Sequence, residues 1–197
     1  MCHQLDKRFF DSLSRMDPAQ VSRRTGCAYD AAERCFAVPA WGEEYRVFPE
    51  SAAIRPVGAD SPPPSNELGL VIVFYLLQAK DAPLAGEWVS ERDLPSGALF
   101  FRGPHALPAP MIADRFGEDL AAFKTACEKL GGAPQPMADA AYSFLILPRV
   151  PVAVLLWRGD DEFPPEAKLL FDRTIALHLP LDVIFALAQE VCSRLCA

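Results

Sequence analysis

Two apolar stretches in the C-terminal half constrain the fold more tightly than any other feature of the chain. "AYSFLIL" (Ala141 to Leu147) and "VAVLLW" (Val152 to Trp157) are rich in aliphatic, β-branched and aromatic residues, and only Pro148-Arg149-Val150-Pro151 separates them. So short a connection leaves no room for a crossover, so the two runs are expected to pair as antiparallel strands. Their near-continuous hydrophobicity predicts cover on both faces of the sheet. A third run, "LGLVIVFYLLQAK" (Leu68 to Lys80), is apolar nearly all round and is read as a central helix capped by Asn66 and Glu67. Its apolar part, Leu68 to Leu77, is about half the roughly 20 residues that a bilayer demands, so a membrane span is not expected.

The rest of the chain arranges itself around these elements. Leu5, Phe9 and Leu13 recur every four residues and predict a helix from about His3 to Met16. Asp17-Pro18-Ala19-Gln20 reads as the start of a second helix and Gly26 as its stop. Short aromatic and β-branched runs between Ala28 and Val57 predict a small antiparallel meander. "GADSPPPSN" cannot form a regular element, because each proline removes a donor and restricts its predecessor. Residues 58–65 are therefore a surface connector and a candidate subdomain boundary. In "PLAGEWVSERDLPSG", Ser90 and Asp93 have capping-box spacing for a single turn stopped by Pro95. Two helices divided at Gly117 fill residues 106–130, and a last one runs from Asp182 to about Cys196. The expected fold is α+β in one domain over residues 1–197: a central antiparallel or mixed sheet packed by helices, with a small N-terminal β-meander.

Charge and cysteine usage exclude several function classes. The formal charge is -7 and the Lys and Arg residues are scattered, which leaves no footprint for a phosphate backbone. The N-terminal "MCHQLDKRFF" carries no basic region followed by a long apolar stretch, so a cytoplasmic address is expected. The six cysteines include no Cys-x-x-Cys pair and are expected to be free thiols. Cys192 and Cys196 lie one helical turn apart and would share a metal only if Cys2 or His3 joined them; packing is the preferred reading, and no metal site is assigned. His105 is read as a loop residue and His178 as a capping or packing residue.

The chemistry concentrates in "LLWRGDDEFPPEAKLLFD" (Leu155 to Asp172). The reading is a strand ending at Trp157, a turn at Gly159, and a helix begun by Pro165 that carries "PEAKLLFD". Asp160, Asp161 and Glu162 would then face the partial positive charge of that helix. Glu87, Trp88 and Arg92 form a second candidate group, an aromatic and charged wall for a planar ligand; the structural alternative makes Trp88 a core anchor and pairs Arg92 with Asp160 or Asp172.

Several stretches resemble the bacterial and archaeal family called domain of unknown function 3786: "WGEEYRV" (Trp41 to Val47), "PLAGEWVSERDLPSG", "RFGED", "LGG" (Leu130 to Gly132), "LPRVPVAVLLWRGDDEFPPEAKLLFDR" and "HLP". The resemblance implies a stand-alone domain of anaerobes, associated at times with corrinoid, one-carbon or iron–sulfur proteins. It also marks Trp88, Arg92, Trp157, Asp160, Glu162 and Phe163 as site candidates. The chain has no cysteine-rich cluster segment, so no iron–sulfur cluster of its own is expected. The functional expectation is a non-catalytic binding or accessory protein for a small cofactor-like ligand or a protein partner. The rivals are an enzyme using Asp160 or Glu162 as general acid or base, with Arg92 orienting an anionic group, and a protein-interaction module. Convergence of "GEWVSERD" and "GDDEFPP" on one concave pocket would favour ligand binding or catalysis; a flat face with exposed apolar side chains would favour a protein interface.

Overall fold

The computed structural model describes residues 5–58 and 63–197. Its first helices start where aspartates satisfy free backbone donors. Asp6 accepts the Arg8 N–H at 2.9 Å and starts α1 (Lys7–Ser14), later than the expected His3, which lies outside the described residues. Phe10 and Leu13 bury against the core, and Phe9 meets Phe74 edge-on at 4.8 Å. Asp17 accepts the Ala19 N–H at 3.0 Å to start α2 (Pro18–Thr25), and Gly26 stops it at φ 75°.

The meander follows as β1 (Ala28–Asp30), β2 (Cys35–Ala40), β3 (Glu43–Phe48) and β4 (Ala53–Pro56), antiparallel throughout and in chain order. The connector begins at Gly58, but residues 59–62 fall outside the described part of the chain. In α3 (Asn66–Gln78), Ser65 rather than Asn66 provides the cap: its hydroxyl accepts the Leu68 N–H at 3.0 Å, which leaves Asn66 as the first helical residue. At the other end the Arg24 guanidinium donates to the carbonyls of Leu77 (3.0 Å), Ala79 (2.7 Å) and Leu76. Carbonyls that a helix end leaves free are thus satisfied by a side chain from α2.

The larger sheet contains β5 (Trp88–Val89), then, beyond α4 (Gly97–Phe100), α5 (Pro110–Phe116) and α6 (Leu120–Lys129), β6 (Ala133–Pro134), β7 (Ala140–Leu147), β8 (Val150–Trp157) and β9 (Glu166–Asp172). Their order is β5-β9-β8-β7-β6 and every pairing is antiparallel. "PEAKLLFD" is therefore not a helix but β9, paired along β8 from Val152↔Phe171 to Trp157↔Glu166. The residues are good helix formers, yet Ala167, Leu169 and Phe171 alternate into the core with the period of a strand, and pairing with β8 overrides local propensity. The last helix, α7 (Leu181–Cys196), packs against α3.

One contiguous set of buried side chains runs from Phe10 in α1 to Leu195 in α7 and includes residues of both sheets. The two sheets meet where the Trp41 N–H donates to Ile146 O at 3.1 Å. The predicted cover on both faces of β7 and β8 comes from two sources. Helices bury the inner face, whereas the outer face carries a separate cluster of Ala141, Ala153 and Leu155 packed by Trp88, Met137, Trp157 and Leu170, with no helical residue in it. The fold is α+β, with an N-terminal β-meander. Among the described residues no helix is long and apolar enough to cross a membrane.

Candidate functional site

The candidates of the sequence reading are dispersed over several places. Trp88 and Trp157 share the outer-face cluster. Glu87 pairs with Arg173, and among the described residues Arg92 reaches only Glu91, at 3.7 Å with most of its side chain exposed. Neither Asp160 nor Asp172 bonds Arg92. Asp172 instead accepts the backbone N–H groups of Ala85 (3.1 Å), Gly86 (2.8 Å) and Thr174 (2.9 Å) and the Thr174 hydroxyl (2.6 Å), fixing the approach to β5. Arg92 borders a hollow beside β9, and Asp160 borders another with Glu118, Asp139 and Arg158; the two segments do not converge on one pocket.

The acidic corner is a hairpin loop, since no helix follows it. Asp160 accepts the N–H groups of Glu162 (2.9 Å) and Phe163 (2.7 Å), and its own N–H donates to Phe163 O at 2.9 Å. Those backbone donors hold its carboxyl below the ordinary range. Pro165 wedges against two glycines: a Cβ on Gly117 would lie 2.3 Å from its Cβ, and one on Gly159 2.7 Å from its Cδ. Gly159 is thus required by close approach rather than by a positive φ. Phe163, two-thirds exposed, points away from the core.

A different place has the anatomy of a binding site. A cavity of about 750 Å³ opens where the β2–β3 turn, the end of α6, β7 and the last turn of α7 come together. Three stretches that carry the family resemblance contribute to it, through Trp41 and Glu43, through Leu130 and Gly131, and through Leu147 and Pro148. The turn itself is unusual. Trp41 and Gly42 connect Ala40 to Glu43 with φ of 55° and 75°, as in a two-residue type I′ hairpin, where Asn-Gly is the favoured pair. A tryptophan at positive φ costs of order 1–3 kcal/mol, and such strain persists only where the surroundings over-determine it. Here the ring packs on Phe144 at 5.3 Å and lies 5.2 Å beneath the Arg194 guanidinium. Its indole N–H is buried and has no acceptor among the described residues.

Arg194 is held by a chain of contacts that begins at the N-cap of α3. Its Nε donates to Glu190 Oε1 at 2.5 Å, and Glu190, almost fully buried, accepts the Ser65 hydroxyl through Oε2 at 2.5 Å. Burial pulls the guanidinium pKa down, but the Glu190 hydrogen bond and charge, aided by Tyr45, outweigh it and raise the pKa overall. Tyr45 donates to Glu43 Oε2 at 2.9 Å and so fixes the one acidic side chain among the described residues of the lining. Sequence reasoning missed this cleft because Trp41 and Arg194 are far apart in the chain. The only local signal was a tryptophan standing where a hairpin turn calls for asparagine.

The remaining candidates read as packing. His105 stacks on Phe100 at 4.7 Å and meets Phe185 edge-on. His178 ends the turn after β9 and is fully buried beside Tyr75, with its pKa lowered by burial and by Arg149. Cys192 is buried and the Cys196 Sγ lies 3.6 Å from Met111 O, while Cys2 and His3 lie outside the described residues. Among the described residues no three His, Cys, Asp or Glu side chains gather with the geometry of a metal site.

An α+β protein of two antiparallel sheets, with a mixed apolar and charged cleft where they meet, is the class that the geometry defines. The chain belongs to the family described as Domain of unknown function (DUF3786), whose model matches residues 17–194. No curated protein and no solved structure matches it.

Proposed function

We propose that this chain is a non-catalytic binding protein that takes a small, cofactor-like molecule in the cleft between its two sheets, and that it serves as an accessory in the cytoplasmic, anaerobic setting implied by the family resemblance. The observation that carries this reading is the strained Trp41, a tryptophan held at φ 55° with a buried indole N–H lacking an acceptor among the described residues, in the wall of a cavity of about 750 Å³. Small-molecule sites combine apolar walls with a few converging polar groups, and strain of this kind concentrates at sites of binding. The rival enzymatic reading finds less support. Asp160 is exposed and its hydrogen bonds favour the ionised form, which disfavours it as a general acid at neutral pH, and as a base it has no enclosed pocket around it.

The chain has three tryptophans, one in the cleft and two on the outer sheet face, so their indole N–H signals report on the two places independently. In a fragment screen followed by NMR, hits should move the Trp41 indole signal and leave those of Trp88 and Trp157 in place. Hits that gather on Trp88 and Trp157 and never move Trp41 would refute the cleft as the binding site.

A further inference from the structure

Resting on that cleft reading, we infer that the molecule bound there is a flat monocarboxylate, an aromatic or conjugated acid carrying a single negative charge. The donors come first. Arg194 spends its Nε on Glu190 and also meets the Tyr45 hydroxyl, and its planar fork lies against the Trp41 ring at the cleft wall. A guanidinium held in this way matches a carboxylate through two parallel N–H groups, and it does so better than it matches a neutral carbonyl. The Trp41 indole N–H, buried and without an acceptor among the described residues, belongs to the same wall residue.

The walls argue for a flat body. Trp41 and Phe144 pack on one another at 5.3 Å, and Leu147 continues the apolar surface, so a conjugated ring finds aromatic and aliphatic contact.

The charge count sets the limit of one. Glu43 and Lys129 line the cleft with opposite signs, and Arg194 is balanced from the protein side by the buried Glu190. The surroundings therefore sum to zero. A single carboxylate meets the guanidinium fork directly and leaves Lys129 to offset Glu43; a phosphate dianion would bring a second negative charge into surroundings that sum to zero.

The test uses three probes of known chemistry, 2-naphthoate, 2-naphthamide and inorganic phosphate, each titrated into protein labelled for its indole N–H signals. Naphthoate should move the Trp41 signal with a Kd at least about tenfold below that of the amide, as expected for a charge-assisted bidentate contact, and phosphate should leave the signal unmoved. Arg194→Lys keeps a cation opposite Glu190, so it spares the fold while removing the fork; naphthoate should weaken by about tenfold or more. Glu43→Gln, which still accepts from Tyr45, should tighten naphthoate and admit phosphate. Equal binding of naphthoate and naphthamide, tighter binding of phosphate than of naphthoate, or full naphthoate affinity in the Arg194→Lys variant would each overturn the monocarboxylate while leaving the cleft in place. If none of the three probes moves Trp41 although fragments of other chemistry do, the ligand class falls and the binding site stands.

Discussion

Asp172 shows how one side chain ties a segment with little secondary structure to the sheet. It is almost fully buried and accepts three backbone N–H groups and one hydroxyl. Burial alone would raise its pKa, but the hydrogen bonds from Thr174, Ala85 and Gly86 outweigh it and hold the carboxyl below its ordinary value of 3.8. A carboxyl whose folded pKa is depressed contributes stability that is complete above the unfolded pKa and is lost as pH falls through the folded one. The loss attributable to Asp172 should therefore begin below about pH 4 and grow with further acidification. Asp172→Asn turns an NH₂ group toward backbone donors and should cost about 1–3 kcal/mol at neutral pH. Urea unfolding at pH 7 and pH 3 checks both points: the variant should lose less stability between the two pH values than the parent, and an identical loss would remove Asp172 from the acid response.

The hairpin of β8 and β9 separates what packing does from what charge does. An alanine Cβ at Gly159 would lie 2.7 Å from Pro165 Cδ and 2.9 Å from Pro165 N, both parts of a rigid ring or backbone. Gly159→Ala should therefore destabilise by about 1–3 kcal/mol, as overpacking does. Glu162 is exposed, and Glu162→Gln should stay within about 0.5 kcal/mol in the same unfolding experiment. Equal losses would make charge rather than the seat of Pro165 the determinant of this corner. Most other elements were legible: the capping Asp17, Gly26, the meander, the long apolar helix and the antiparallel pair all follow from local pattern. β9 was not, because Glu, Ala, Lys and Leu favour a helix until a neighbouring strand supplies partners along their length. The cleft was hidden for a related reason. Arg194 reads as the polar face of a terminal helix, and only the docking of α7 beside the β2–β3 turn sets it over Trp41.

At the scale of the whole molecule, the buried cysteines report whether the sheets open together. Cys27 lies between α2 and the meander, Cys127 in α6 and Cys192 in α7, and all three belong to one contiguous core. Burial pushes their thiols up, Cys27 to about 11 and Cys127 and Cys192 to about 12. The thiolate is the reactive form, so in the native state these groups are both inaccessible and unreactive. Cys196 is only half-buried and should alkylate first among the described cysteines. In a urea series read by iodoacetamide labelling and peptide mapping, Cys27, Cys127 and Cys192 should gain reactivity together, at the midpoint shown by circular dichroism, because a side chain in a shared core is exposed only by global opening. A staggered response, with Cys27 labelled at lower urea than Cys127 and Cys192, would mean that the meander and its helices unfold as a separate unit. The boundary suggested by the proline-rich connector at 58–65 would then be a thermodynamic one, and the cleft at the junction of the sheets would open before the larger sheet does.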